Sequence, residues 1–89
     1  MPTVQIPTPL RPHAGGLDVV EAEGATVGAV LEAVVSKHPA LRERLFEGGE
    51  LRRFVNVYVN NEDIRFLEDL ETPVGERDEI SIIPAIAGG

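Results

Sequence analysis

The sequence has no cysteine. That excludes disulfides, thiolate metal ligation, iron–sulfur clusters and a cysteine nucleophile, and it leaves the redox compartment unread. Basic residues are also scarce, 8 Lys and Arg against 15 Asp and Glu, for a formal charge of −7. Phosphate contacts need a basic footprint, so this balance argues against nucleic acid, and it equally disfavours an anionic membrane surface. It suits docking onto a basic protein partner, and it also serves plain solubility. No stretch approaches the roughly 18 apolar residues of a membrane span, and "MPTVQIPTPLRP" lacks the charged start and apolar run of a signal peptide. The expected location is the cytoplasm.

What is present fits one small domain. With 89 residues, 43% of them hydrophobic, the chain can bury one modest core, and function is expected on a short segment or on the surface. "TVQI" (Thr3 to Ile6) alternates as a strand, and Pro7, Pro9 and Pro12 predict an extended segment after it. "HAGG" (His13 to Gly16) reads as a turn into a second strand, Leu17 to Ala22, paired with the first as a hairpin. The adjacent Val19 and Val20 leave its buried face open.

Thr26 is a suitable N-cap for a helix over Val27 to His38, with Val27, Val30, Leu31 and Val34 on one face and Pro39 as the stop. A second helical turn over Ala40 to Phe46 and a loop at "EGGE" follow. "FVNVYVN" (Phe54 to Asn60) is the clearest strand, its core face being Val55, Val57 and Val59. "NED" predicts a turn, "IRF" (Ile64 to Phe66) a short strand, and "EISII" (Glu79 to Ile83) a last strand with Ile80 and Ile82 inward. One helix among these strands is too few for a parallel crossover sheet. The expected fold is α+β, a ubiquitin-like β-grasp with one main helix packed on one face of a mixed sheet.

The sequence ends "IIPAIAGG". At an average glycine usage of about 7%, a pair at the last two positions arises by chance about once in 200 chains. A frayed end therefore stays open beside a functional one. Physically, Gly88 and Gly89 would let the backbone enter a narrow channel and leave the carboxylate carbon without steric cover. Ala85 to Gly89 could extend about 16–18 Å beyond a body formed by residues 1–84. A carboxylate is a poor electrophile, so activation would have to come from a partner.

"IPTPLRPHAGG", "RFVNVYVNNEDIRF" and "IIPAIAGG", in this order, resemble the ThiS/MoaD family of ubiquitin-like sulfur carriers over nearly the whole chain, and within it the branch that serves cysteine synthesis. The resemblance implies a carrier rather than an enzyme, with no cofactor of its own. An adenylating and sulfur-transferring partner would use ATP to activate Gly89, which then becomes a thiocarboxylate, with Ala85, Ile86, Ala87 and Gly88 as the arm that presents it. A pyridoxal-phosphate cysteine synthase would receive the sulfur, and a metalloprotease would release the cysteine made. The lack of cysteine agrees with sulfur held on the terminal carboxyl carbon. Rival readings are the small subunit of molybdopterin synthase, a modifier joined through Gly89 to lysines, and an interaction domain with an inert tail.

With the valines of the main strand inward, Phe54 and Tyr58 face outward and Ile83 joins them, predicting a partner-docking patch beside the tail. His13 and His38 read as surface or capping residues rather than a metal or acid–base site. Arg42, Arg44, Arg52 and Arg53 read as a solvated face paired with neighbouring glutamates.

Overall fold

The structure is a computed structural model and describes residues 1–53 and 55–84. Its centre is a five-stranded mixed sheet in the order β2-β1-β7-β5-β6. Strand β1 (Thr3–Gln5) pairs antiparallel with β2 (Val19–Glu21), so the expected hairpin forms. The chain then crosses the sheet as helix α1 (Val27–Lys37). A short helix α2 (Arg42–Leu45) and a small separate hairpin, β3 (Phe46–Glu47) with β4 (Glu50–Leu51), lead into β5 (Val55–Val59) and β6 (Glu62–Asp63). The last strand, β7 (Glu79–Pro84), inserts between β1 and β5, parallel to the first and antiparallel to the second. Hairpin, crossing helix and a central final strand parallel to the first make the β-grasp.

Helix α1 forms where its sequence predicts. Thr26 is extended (φ −133°, ψ 163°), and its Oγ1 accepts from the Ala29 N–H at 3.2 Å, which satisfies one otherwise unpaired donor of the first turn. Val27, Val30, Leu31, Val34 and Val35 are buried along one stripe. Opposite them lie Val4, Val20, Val55, Val57, Val59, Ile80 and Ile82 from the sheet. Each such side chain contributes about 1.5–3 kcal/mol by leaving water, so this single helix–sheet layer carries most of the stability. The segment entering α1 lies directly on the helix backbone at Gly24, where a Cβ would stand 2.6 Å from the Val30 amide nitrogen.

Several local expectations are corrected. The proline-rich segment is not extended: Thr8–Ala14 is a 3-10 helix, with the Leu10 and Arg11 N–H groups both donating to the Pro7 carbonyl. Pro9 is tolerated at the start, where the first helical N–H would be unpaired anyway, Pro12 lies inside the helix, and burial of Leu10 and Ala14 favours the coiled form. "EGGE" is the tight turn of the β3–β4 hairpin rather than a loop, since Gly48 (φ 62°) and Gly49 (φ 86°) supply the left-handed backbone that such a turn requires. The turn predicted over Ala40 to Phe46 divides into a 3-10 turn (Pro39–Leu41) and α2, while Phe46 already belongs to β3.

"IRF" is not a strand. Asn60 and Asn61 (φ 49° and 75°) reverse the chain at once, so pairing with β5 begins at Glu62 and ends at Asp63. The Asp63 carboxylate then accepts from the Arg65 N–H at 2.9 Å and starts a 3-10 turn, Ile64–Phe66, of which only Ile64 is buried. In β2, Val20 is the buried valine and Val19 faces outward. No helix among the described residues is long and apolar enough to cross a membrane.

Candidate functional site at the end of the sheet

The outer face of the sheet follows from strand parity. On β5, Val55, Val57 and Val59 point to α1, which turns Asn56 and Tyr58 to the other side. Register places Ser81 opposite Tyr58 and Ile83 opposite Asn56, so Tyr58 and Ile83 share a face as diagonal neighbours. Ile83 is 48% exposed and Tyr58 half-buried. Two of the three residues predicted to dock a partner therefore come together. Phe54 lies outside the described residues, as do Ala85, Ile86, Ala87, Gly88 and Gly89 of the expected tail.

The same row runs on through Ser81 to Gln5 of β1 and Val19 of β2, and in the other direction to Asp63 of β6. Its far end is acidic, with Glu21, Thr3 and Glu79 in register. The outer face thus carries Tyr58 and Ile83 beside Asn56 toward the β5–β7 end that leads to residue 85, and it is acidic at the opposite end. Val19, 36% exposed, belongs to this face and was hidden in sequence by its neighbour Val20. Phe66, 87% exposed, was hidden by the expectation of a strand.

The acidic end is braced where β7 starts. Asp78 accepts from the Gly75 N–H at 2.7 Å and from Asn60 Nδ2 at 2.9 Å, while Asn60 Oδ1 accepts from the Glu79 N–H at 3.0 Å. The bond from the Gly75 backbone, and then that from Asn60, hold the Asp78 carboxyl below the usual aspartate range. These bonds fix the β5–β6 turn against the first residue of β7, which sets the register that carries Ile83 to its place.

The arginines divide in use. Arg42 pairs with Glu32 at 2.5 Å, and that hydrogen bond raises its already high pKa. Arg52 pairs with Glu47 at 3.0 Å and donates to the Glu43 carbonyl at 2.6 Å. Arg44 and Arg53 make no ion pair among the described residues. His38 caps α1 through its backbone N–H, and His13 lies in the 3-10 helix of the first loop. Among the described residues, no three His, Asp or Glu side chains gather as a metal site.

Comparison with known proteins agrees with this architecture. Residues 4–89 match the ThiS family. The chain is 48% identical over 90 residues to the sulfur carrier protein CysO of Mycobacterium tuberculosis, covering 98% of this chain and 97% of that protein. It superimposes with a TM-score of 0.93, at 49% identity and with both chains fully covered, on a chain of the Amycolatopsis orientalis BexX/CysO complex. It is also 42% identical over 72 residues to small archaeal modifier protein 1 of Haloferax volcanii, covering 79% of this chain and 78% of that protein. Fold, full-length match and the run of the match through the final glycine together establish that this chain belongs to the ThiS family of sulfur carriers, a carrying protein rather than a catalyst.

Proposed function

We propose that this chain carries sulfur for cysteine biosynthesis as a thiocarboxylate on Gly89. The observation that carries the reading is the Gly88–Gly89 pair, which in sequence follows the last residue of the central strand β7, Pro84, after three residues, in a chain similar over nearly its whole length to CysO. In this reading residues 1–84 are the body and Ala85, Ile86, Ala87, Gly88 and Gly89 the arm.

A partner's adenylating site would join the Gly89 carboxylate to the AMP part of ATP, with pyrophosphate leaving. A sulfur nucleophile would then displace AMP. Glycine at both final positions keeps the acyl carbon open to that attack. The thiocarboxylate sulfur would add to an aminoacrylate on a pyridoxal-phosphate cysteine synthase, and the Gly89 acyl group would move from sulfur to the amino group of the new cysteine. A metalloprotease would hydrolyse that amide to free the cysteine and restore the carboxylate. The ATP-dependent activation suits the cytoplasm, where the carrier would work. Tyr58 and Ile83, with Phe54, would seat the partner beside the arm. Similarity to a chain of the BexX/CysO complex supports a protein partner.

Intact-mass measurement on protein purified from its own cells tests the chemistry. A fraction heavier by one oxygen-to-sulfur exchange, mapped to Gly89, is expected; an unmodified carboxylate under sulfur-replete growth contradicts it. Transfer to a pyridoxal-phosphate enzyme, rather than to a pterin-binding subunit, tests the recipient.

Similarity to small archaeal modifier protein 1 favours a second reading, conjugation of Gly89 to lysines. Adducts that survive reductant on a denaturing gel and map to lysine–glycine isopeptide bonds would support it.

A further inference from the structure

On the helix side of β5, a surface cleft of about 390 Å³ has Val55, Val57 and Ile64 as its floor and Arg52, Arg53 and Arg65 on its rim. Three guanidiniums around one apolar floor run against the chain's balance of 15 acidic to 8 basic residues. Asp69 is the sole carboxylate among the described lining residues.

The three arginines are not equally engaged. Arg52 is held by Glu47 and by the Glu43 carbonyl. Arg65 makes an ion pair with Asp63 through Nε at 3.7 Å, too long for a hydrogen bond, and its side chain is 54% exposed. Arg53 is exposed and makes no ion pair among the described residues. Two planar donor forks therefore face water beside buried aliphatic carbons, an arrangement suited to bidentate carboxylate binding.

Position ties this cleft to the tail. Arg53 stands two residues before Val55, and Val55 pairs with Pro84, the last residue of β7. The cationic rim thus lies at the end of the sheet where the chain passes on to residue 85. Phe66 follows Arg65 in the same turn and is the most exposed large apolar side chain among the described residues. Exposed aromatic and arginine side chains together are the residues that anchor protein interfaces.

We propose that this cleft is a second docking surface, for an acidic segment of the partner that receives the tail: an apolar side chain seated on Val55, Val57 and Ile64, with flanking carboxylates paired to Arg53 and Arg65. The identity of that partner rests on the carrier reading above; the binding chemistry does not. The net charge of −7 disfavours such a segment over the surface as a whole, and this cleft is where three arginines gather around an apolar floor.

The test is an amide-resolved NMR titration of the full chain with a synthetic peptide of one leucine flanked on each side by glutamates, and with the same peptide carrying lysines instead. Shifts are expected at Arg53, Val55, Val57, Ile64 and Arg65 with the glutamate peptide only. Affinity should fall about tenfold in the R53Q/R65Q double variant, and about as much between roughly 0.05 and 0.3 M salt. Both side chains are exposed, so the variant should melt with the wild type. No shifts, shifts away from the cleft, equal binding by R53Q/R65Q, or the lysine peptide moving the same residues would each overturn the proposal. Sulfur found on Gly89 without peptide binding removes the cleft proposal alone. Peptide binding without sulfur on Gly89 removes the carrier chemistry alone.

Discussion

On β5, Val55, Val57 and Val59 are nearly inaccessible, while Asn56 and Tyr58, alternating with them, are only half-buried on the other side. β7 repeats the contrast with Ile80 and Ile82 inside and Ser81 and Ile83 outside. One face of the same two strands is built from interchangeable aliphatic side chains that need only fill volume. The other carries a tyrosine, an amide, a hydroxyl and an exposed isoleucine, which add little to folding. A small carrier has room to separate its tasks in this way, because the core needs only one face of the sheet.

Substitutions that strike one face and spare the other sharpen this contrast. The largest effect is expected from Ile80→Ala, which empties a fully buried site against α1 and should cost about 2–5 kcal/mol in a denaturant melt. Ile83→Ala, three residues along the same strand, should leave the melt within about 0.5 kcal/mol of wild type. Its effect should appear in binding: paired with Tyr58→Ala, it should weaken the partner complex about tenfold, about 1.4 kcal/mol, by calorimetry. Equal stability losses at Ile80 and Ile83 would break the division of labour.

Between these extremes lies the brace at the start of β7. Asn60→Ala loses both side-chain bonds and forces a left-handed backbone onto a Cβ residue that cannot bond locally, for about 1–2 kcal/mol in the same melt. Asn60→Gly should recover part of that loss. The smallest effect is a pH dependence. The folded-state pKa of Asp78 is depressed, so its contribution is fully present above the ordinary aspartate value and is lost as pH falls through the lower folded value. Asp78→Asn should therefore be less stable than wild type at neutral pH, and the gap should close on acidification through that window.

Much of this was legible in the sequence, and the reasons are local. The alternation of Val55, Val57 and Val59 and the helical spacing of Val27, Val30, Leu31 and Val34 are long enough to fix a period, and those elements stand as expected. Where pairing lasts two or three residues no period exists to read. Glu62–Asp63 was therefore missed in favour of Ile64–Phe66, and the choice between Val19 and Val20 stayed open. The proline segment misled because Pro9 suits the first turn of a 3-10 helix and because burial of Leu10 and Ala14 holds the coil even with Pro12 inside it.

For the site, strand parity alone put Tyr58 and Ile83 on one side, but their adjacency needed β7 to pair with β5 in this register. The cleft around Arg53 and Arg65 had no sequence signal. Its floor and rim come from β5 and a turn that reads as a strand, brought together only by the Asn60–Asn61 reversal.

The most direct measurement takes the chain lacking both Gly88 and Gly89 and records two quantities side by side, its melting temperature and the terminal sulfur it acquires when expressed in its own cells. A carrier loaded at an unhindered terminal acyl group should melt as the full chain does and acquire no sulfur. Sulfur loading that persists without the glycine pair would contradict it.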